Sequence, residues 1–162
     1  MPLIIITGMP CTGKTQCFLQ IQEHFNKLQK PVVLVSEHDY IKDRNNIYNQ
    51  SNEEKTIRSS IKAAVFRAIS TTNLVILDAS NYIKGYRYEL YFVAIQHSTR
   101  HCLVQCVVPP EQAWQWNTCR PQDQQYDKDT FDILVSRYEA PDRRNRWDSP
   151  LFAWSPEGGG WT

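Results

Sequence analysis

A short segment near the amino terminus has the residue types and the spacing needed to hold phosphate groups. It fits G-x-x-x-x-G-K-[ST] at every fixed position, with Gly8, Gly13, Lys14 and Thr15. Glycines let the backbone fold closely around an anion, and the N–H groups of the loop and of the following helix point at it. Lys14 is expected to reach the β and γ phosphates, and the Thr15 hydroxyl is expected to coordinate Mg²⁺. The predicted nucleotide-binding residues are Gly8, Met9, Pro10, Cys11, Thr12, Gly13, Lys14, Thr15 and Gln16.

Two acidic positions follow predicted strands and are candidates for metal binding and proton transfer. Asp78 ends the apolar run 74–77, an arrangement that holds Mg²⁺ in phosphate-loop proteins. The alternative for Asp78 is a turn-capping role, because Asp-Ala-Ser-Asn is typical of turns. Glu37 and the adjacent His38 follow the second predicted strand, where a base could take a proton from water or from a substrate hydroxyl. The alternative for this acidic segment is a solvated loop.

A cluster of arginines near the carboxyl terminus is a candidate for neutralising phosphate charge. Arg137, Arg143, Arg144 and Arg146 lie within ten residues of one another. The planar guanidinium group suits phosphate oxygens, and phosphoryl transfer needs such a partner for its developing charge. The cluster could equally be a surface patch paired with nearby aspartates, or it could bind an RNA backbone. Arg120, outside the cluster, is a further candidate for the charge at the γ phosphate.

Alternating apolar runs predict the elements that position these residues. Short branched runs predict strands at 3–7, 32–35, 74–77 and 102–108, and helical spacing predicts helices at 14–28, 53–69, 85–97, 111–119 and 127–139. The residues 36–52 are predicted to form a polar loop, and the chain from 141 onward is predicted to be irregular. Strands about 30 residues apart with helices between them give a parallel sheet. The predicted fold class is therefore α/β of the P-loop NTPase type, with at least four parallel strands and helices on both faces.

Composition places the chain among globular proteins of one domain. The 162 residues are 41% apolar, and 18 basic against 17 acidic side chains give a net charge of +1, which argues against a chain that coats nucleic acid along its length. No stretch of 18 apolar residues occurs, so no membrane partner is expected. The five cysteines are expected to be reduced thiols of an intracellular protein. Cys102 and Cys106 share one face of a predicted strand, where core packing is favoured over a metal site.

Four long blocks of the sequence resemble a known family. These blocks are 1–15, 53–69, 74–91 and 137–152, and they resemble the Kti-twelve (killer-toxin-insensitive) Elongator cofactor family, relatives of the kinase that phosphorylates seryl-tRNA. The resemblance implies a P-loop ATPase with ATP at residues 8–15 and Mg²⁺ at Asp78. It places Glu37 where related kinases keep a substrate-facing carboxylate, although relatives often carry paired aspartates where this sequence has Ser36 and Glu37. It also implies that Arg143 and Arg146 lie near the nucleotide or the tRNA end.

The resemblance also implies partners and a domain organisation. Family members associate with Elongator, serve its modification of wobble uridines in tRNA, and have an ATPase that responds to tRNA. They carry a second, helical, tRNA-binding domain, so we expect residues 1–152 to be the ATPase domain and residues 153–162 an irregular tail with that second domain absent. A monomer located in the cytoplasm, with access to the nucleus, is expected. The alternatives are a kinase for an RNA-linked or small-molecule hydroxyl, and a nucleotide-dependent binding module for a protein partner.

Overall fold

A single six-stranded sheet forms the centre of the protein. The computed structural model describes residues 2–41, 45, 50–69, 72–157 and 160–161. The strands are β1 (Leu3–Thr7), β2 (Val32–Ser36), β3 (Leu74–Asp78), β4 (His101–Cys106), β5 (Leu151–Ser155) and β6 (Gly160–Trp161). Their order across the sheet is β2-β3-β1-β4-β5-β6, and β1 to β5 are parallel while β6 runs antiparallel to β5. The predicted parallel sheet is therefore confirmed.

Helices connect the parallel strands, as a parallel sheet requires. They are α1 (Lys14–Lys27), α2 (Ser51–Ala68), α3 (Lys84–Gln96), α4 (Pro110–Thr118) and α5 (Lys128–Arg137). In the described part of the connections lie three short 3₁₀ turns, at Glu37–Asp39, Gln122–Gln124 and Arg146–Asp148. Of the predicted polar loop 36–52, residues 42–44 and 46–49 lie outside the described part of the chain.

The helices cover both faces of the sheet because successive strand residues point to opposite sides. In β1, Ile4 and Ile6 pack with α1, whereas Leu3 and Ile5 pack with α2 and α3. A third cluster joins α4 and α5 to the loop after β1. Parallel strands buried on both faces read as continuous apolar runs, which is why the sequence predicted β1 and β3 so clearly.

The carboxyl-terminal segment differs from the sequence prediction. Residues 151–155 form β5, which pairs with β4 in the register Val104 with Phe152 and Cys106 with Trp154. The predictions that the chain is irregular from 141 onward, and that residues 153–162 form an irregular tail, are therefore wrong for β5 and β6. Pro150 and Pro156 flank a strand of only five residues, so its apolar signal is short. The Trp154 side chain is buried in the hydrophobic cluster between α1 and the sheet, which we call the α1 core. Strand β5 is therefore part of the domain.

Two further expectations concern metal sites and membranes. Cys102 and Cys106 both pack in the α1 core, as predicted, and the described residues contain no group of three metal-ligating side chains. Across the described ranges, every helix is too short or too polar to cross a bilayer.

Candidate nucleotide-binding site

The loop between β1 and α1 disfavours a side chain at both of its fixed glycine positions. A Cβ atom on Gly8 would lie 2.6 Å from Thr12 Oγ1 and 3.2 Å from the Cβ of Cys106. Gly13 has φ +82°, a left-handed conformation that disfavours a side chain, and a Cβ there would lie 3.2 Å from the Trp154 ring. The motif therefore reflects close backbone packing against β4 and β5.

Short-range contacts shape the rest of this loop. Thr12 Oγ1 and Lys14 Nζ donate to the Met9 carbonyl at 2.8 and 3.0 Å. Cys11 is buried, has φ +62°, and its thiol lies 3.6 Å from Asn117 Oδ1 of α4. Gly13 is the N-cap of α1 and provides no side chain to satisfy the first N–H groups of that helix. Those groups can therefore hydrogen-bond to an anion.

A hydroxyl and a carboxylate meet beside the start of α1. Thr15 Oγ1 donates to Asp78 Oδ2 at 3.0 Å, and Asp78 is buried at the carboxyl end of β3. These are hard oxygen ligands, which Mg²⁺ prefers together with phosphate oxygens and water. The turn after β3 is held by a different carboxylate, because the Ser80 N–H donates to Glu37 Oε2 at 3.2 Å. The contacts therefore fit a metal-binding role for Asp78 better than a turn-capping one.

Glu37 occupies a fixed position next to this pair. Its side chain is buried, and Glu37 is the first residue of the 3₁₀ turn after β2. The Ser36 side chain caps this turn, because its Oγ accepts the His38 N–H at 3.2 Å. His38 Nε2 lies 3.5 Å from Thr15 Oγ1, while His38 and Asp39 are exposed. A solvated loop therefore describes His38 and Asp39, whereas Glu37 is a buried carboxylate oriented by a backbone N–H.

A cleft of about 320 Å³ lies at the carboxyl edge of the sheet, and Thr15 and Glu37 are among its lining residues. Its lining comes from the phosphate loop and the start of α1, and from the turn after β2. It also comes from α4, from the α4–α5 connection and from the residue that follows β5. The lining residues are Cys11, Thr12, Gly13, Lys14, Thr15, Gln16, Glu37, His38, Trp116, Arg120, Tyr126 and Pro156. Arg120 is thus the arginine that the fold brings to the site.

Sequence reasoning missed Trp116, Tyr126 and Pro156 as lining residues. They lie on elements that reach the cleft through tertiary packing. Asn117 Oδ1 accepts the Tyr126 N–H at 2.8 Å, and its Nδ2 donates to the Tyr126 carbonyl at 3.0 Å. This pair of bonds folds the α4–α5 connection over the loop. The only signal in the sequence is the polar, proline-containing stretch 120–126 between two predicted helices.

The structure does not bring Arg143 and Arg146 to the cleft. Both are exposed in the connection from α5 to β5, and among the described residues neither lines the cleft or forms an ion pair. His101 is the first residue of β4, and its Nε2 forms a hydrogen bond of 3.1 Å with the carbonyl of Trp147. Arg146 therefore lies near the amino end of the sheet. The connection must run there because β5 is parallel to β4 and starts at that end.

The remaining arginines of the cluster form ion pairs. Arg144 Nη2 lies 2.6 Å from Asp142 Oδ2, and hydrogen bonds from this guanidinium lower the pKa of Asp142 to about 2. The pair is exposed, so it adds little to stability. Arg137 Nη1 lies 4.0 Å from the buried carboxylate of Glu54.

Comparison with known proteins identifies the family. A family model described as chromatin associated protein KTI12 matches residues 1–158. The chain belongs to the KTI12 family. The KTI12 homolog of Xenopus laevis is 46% identical over 153 residues, which cover 94% of this chain and 56% of that protein. The chain thus spans a little over half the length of this KTI12 relative.

Solved structures support the same conclusion. The crystal structure of Chaetomium thermophilum Kti12 in complex with ADP-AlF3 matches with a TM-score of 0.84 at 34% identity, covering 96% of this chain and 90% of that chain. The APS kinase CysC of Mycobacterium tuberculosis, in complex with AMPPNP and APS, matches with a TM-score of 0.65 at 12% identity, covering 96% and 88%. The second likeness shows the fold alone. The predicted fold class and the predicted family are both confirmed.

Proposed function

We propose that this KTI12-family chain binds ATP with Mg²⁺ and hydrolyses it. The observation that carries the proposal is the 3.0 Å contact between Thr15 Oγ1 and the buried Asp78 carboxylate, beside the glycine-capped start of α1. The family member from Chaetomium thermophilum, whose crystal structure is a complex with ADP-AlF3, supports it. In such complexes the aluminium fluoride stands in for the γ-phosphoryl group during transfer.

Several residues in and beside the cleft have roles that their positions support. The loop and α1 N–H groups bind phosphate oxygens, and Lys14 places a positive charge on the β and γ phosphates. Thr15 and Asp78 would hold Mg²⁺, which would neutralise the charge that develops on those oxygens. Arg120 supplies a second cation from across the cleft. Catalysis then comes mainly from positioning and electrostatics, because the protein does little covalent chemistry in phosphoryl transfer.

Glu37 is the residue that we propose to accept a proton from the attacking group. It lines the cleft, and the Ser80 N–H fixes one carboxylate oxygen, leaving the other for an incoming O–H group. A water molecule or a substrate hydroxyl can donate to it. The burial of Glu37 therefore also supports the second candidate function, transfer of the γ phosphate to a hydroxyl. A binding module whose affinity for a protein partner depends on the bound nucleotide would use the same cleft.

We further propose that this activity serves Elongator in the modification of tRNA wobble uridines. Family membership supports this, and the family description as chromatin associated fits access to the nucleus as well as the cytoplasm. The exposed Arg143 and Arg146 offer phosphate contacts, but two such contacts give weak, salt-sensitive binding. We therefore expect a monomer that binds tRNA weakly at physiological salt.

The test is turnover of ATP labelled at the γ phosphate, with and without tRNA, and with the Lys14→Ala protein as control. Label released as free phosphate by the unmodified protein, and not by the control, supports hydrolysis. Label recovered on tRNA would establish the kinase function in its place. Equal release by both proteins would contradict the active-site assignment, since the phosphate loop would then have no part in the reaction.

A further inference from the structure

The segment that follows β3 connects three parts of the proposed ATP site. The Ser80 carbonyl accepts the N–H of Gly8, the first glycine of the phosphate loop, at 3.2 Å, and it accepts from Thr7 Oγ1 at 2.9 Å. The Ser80 N–H donates to Glu37. One peptide segment, next to the metal-binding candidate Asp78, therefore sets the positions of both the loop and the proposed base.

Asn81 gives this segment a conformation that needs support. Its φ is +46°, which lies in the left-handed region, and its side chain donates from Nδ2 to the Ile6 carbonyl of β1 and to the Ala79 carbonyl. These bonds tie the side chain to the sheet. The Asn81 carbonyl must be held separately, because its orientation sets the course of the chain towards α3.

A buried arginine donates to that carbonyl at the shorter distance, while Thr7 Oγ1 lies 3.1 Å from the same oxygen. Arg87, in the first turn of α3, is fully buried and donates from Nη1 to the Asn81 carbonyl at 2.9 Å. Its Nε donates to Asp148 Oδ1 at 2.9 Å, and Asp148 is buried as well. Asp148 Oδ2 in turn accepts the N–H of Asp142 at 3.0 Å. The Arg87 guanidinium therefore connects the segment that follows β3, at Asn81, to the α5–β5 connection, at Asp148.

The location of this arginine argues against a role in helix stability. A cation in the first turn faces the positive end of the helix dipole, which is electrostatically unfavourable. A buried ion pair is also weak support for stability, because desolvation opposes the attraction between the charges. The planar guanidinium group, with N–H donors in a fixed fork, bonds the Asn81 carbonyl and the Asp148 carboxylate in two set directions.

We propose that Arg87 is a positioning residue for the ATP site. It holds residues 80–81 so that the Ser80 carbonyl meets Gly8 and the Ser80 N–H meets Glu37. The inference rests on the proposed ATPase function, and it concerns a residue that does not contact the nucleotide. Arg87 thus acts on the chemistry through the backbone of the segment after Asp78.

The test separates positioning from stability by removing the buried positive charge of Arg87 alone and then together with the negative charge of Asp148. The variants are Arg87→Met, the double variant Arg87→Met with Asp148→Asn, and Arg87→Lys, with Arg67→Met as a control on an exposed arginine of α2. Asn at 148 can still accept the Asp142 N–H. For each protein we measure Tm, kcat and KM for ATP hydrolysis, and the hydrogen exchange of the Ser80 and Gly8 amides.

We expect the double variant to regain most of the Tm that Arg87→Met loses, because no buried charge is left unpaired. Its kcat should stay about 10- to 100-fold below that of the unmodified protein, the scale of a small misplacement in an active site, with little change in KM. The two amides should exchange faster in both Met variants. Arg87→Lys, which keeps the charge without the fork, should give an intermediate kcat.

The proposal is overturned if the double variant recovers kcat together with Tm, or if its two amides exchange as slowly as in the unmodified protein. If Arg87→Met alone does not fold, the double variant and Arg87→Lys give the same comparison. If the unmodified protein does not hydrolyse ATP, the proposed function fails, and amide exchange still decides whether Arg87 holds residues 80–81. The Arg67→Met control should match the unmodified protein in every measurement.

Discussion

The two ends of the sheet carry basic side chains in contrasting surroundings. At the carboxyl end, Lys14 and Arg120 line one cleft with the carboxylate of Glu37, and the Thr15–Asp78 pair adjoins it. Towards the amino end, Arg143 and Arg146 are exposed on a connecting segment. The first group lines a cleft of about 320 Å³, whereas the second faces solvent.

The difference shows that the course of the chain decides what a cationic residue can do. Lys14 reaches the site because the loop after β1 and the start of α1 place it there. Arg143 and Arg146 belong to a stretch that must return to the amino edge before the parallel strand β5 can begin. An arginine-rich segment therefore says little about catalysis until its position relative to the strand ends is known.

The largest effect should come from the carboxyl end. We expect Lys14→Ala to lower ATP turnover at least about 100-fold, the scale of losing one preorganised electrostatic group. The fold should survive, because Lys14 is only half-buried and its ammonium group bonds a loop carbonyl. Steady-state phosphate release measures the effect, with circular dichroism as the check on folding. Undiminished release by a folded variant would remove the phosphate loop from the mechanism.

A second change tests the metal-binding role of Asp78. Asp78→Asn keeps the shape of the side chain but removes its charge, so the Mg²⁺ concentration needed for half-maximal turnover should rise about 10-fold or more. Tm without nucleotide should change little. The measurement is a Mg²⁺ titration of ATP turnover beside a thermal melt. A normal titration with a lowered Tm would indicate that Asp78 only supports the turn after β3.

A third set of variants compares the two ends directly. Arg120→Ala should lower basal ATP turnover about tenfold, less than the loss of a fully preorganised donor, because Arg120 lies on a connecting segment. Arg143→Ala and Arg146→Ala are the matched controls, and each should stay within about threefold, under 1 kcal/mol and typical of a surface change. A larger loss in the controls than in Arg120→Ala would reverse the assignment.

The smallest effect concerns the amino end and depends on pH. Burial lowers the pKa of His101 below its usual value of 6.5, although the Trp147 carbonyl and Asp148 oppose the shift. The unfolded chain therefore binds a proton on His101 before the folded protein does. Burial of the neutral His101 side chain therefore makes the free energy of unfolding depend on pH. The protein has the full stability from this site above pH 6.5, and it loses stability as the pH falls towards the lowered pKa.

The measurement is urea unfolding at several pH values between 7.5 and 5, with His101→Gln as the comparison. We expect the free energy of unfolding to fall less steeply with decreasing pH in the variant, because Gln does not titrate. The same slope in both proteins would mean that another group causes the acid sensitivity.

The phosphate loop and Asp78 could be predicted from the sequence because their geometry is local. A strand, a glycine-rich turn and a helix start follow one another within residues 3–15, and Asp78 directly ends its strand. The strand β5 could not be recognised, since only its pairing with β4 makes five residues between two prolines into a strand. Arg120 was one of several arginine candidates and Tyr126 was no candidate, because hydrogen bonds from Asn117 of α4 to Tyr126 determine how their segment folds.

The close packing of Trp154 on Gly13 makes the last parallel strand a natural optical reporter of the phosphate loop. Its indole is buried, its Nε1 donates to Gln20 Oε1 of α1 at 3.1 Å, and its ring would lie 3.2 Å from a Cβ on Gly13. Trp116 lines the cleft from the opposite side. A rearrangement of the loop around phosphate changes the surroundings of both indoles, so ligand binding can be followed by intrinsic fluorescence without a dye.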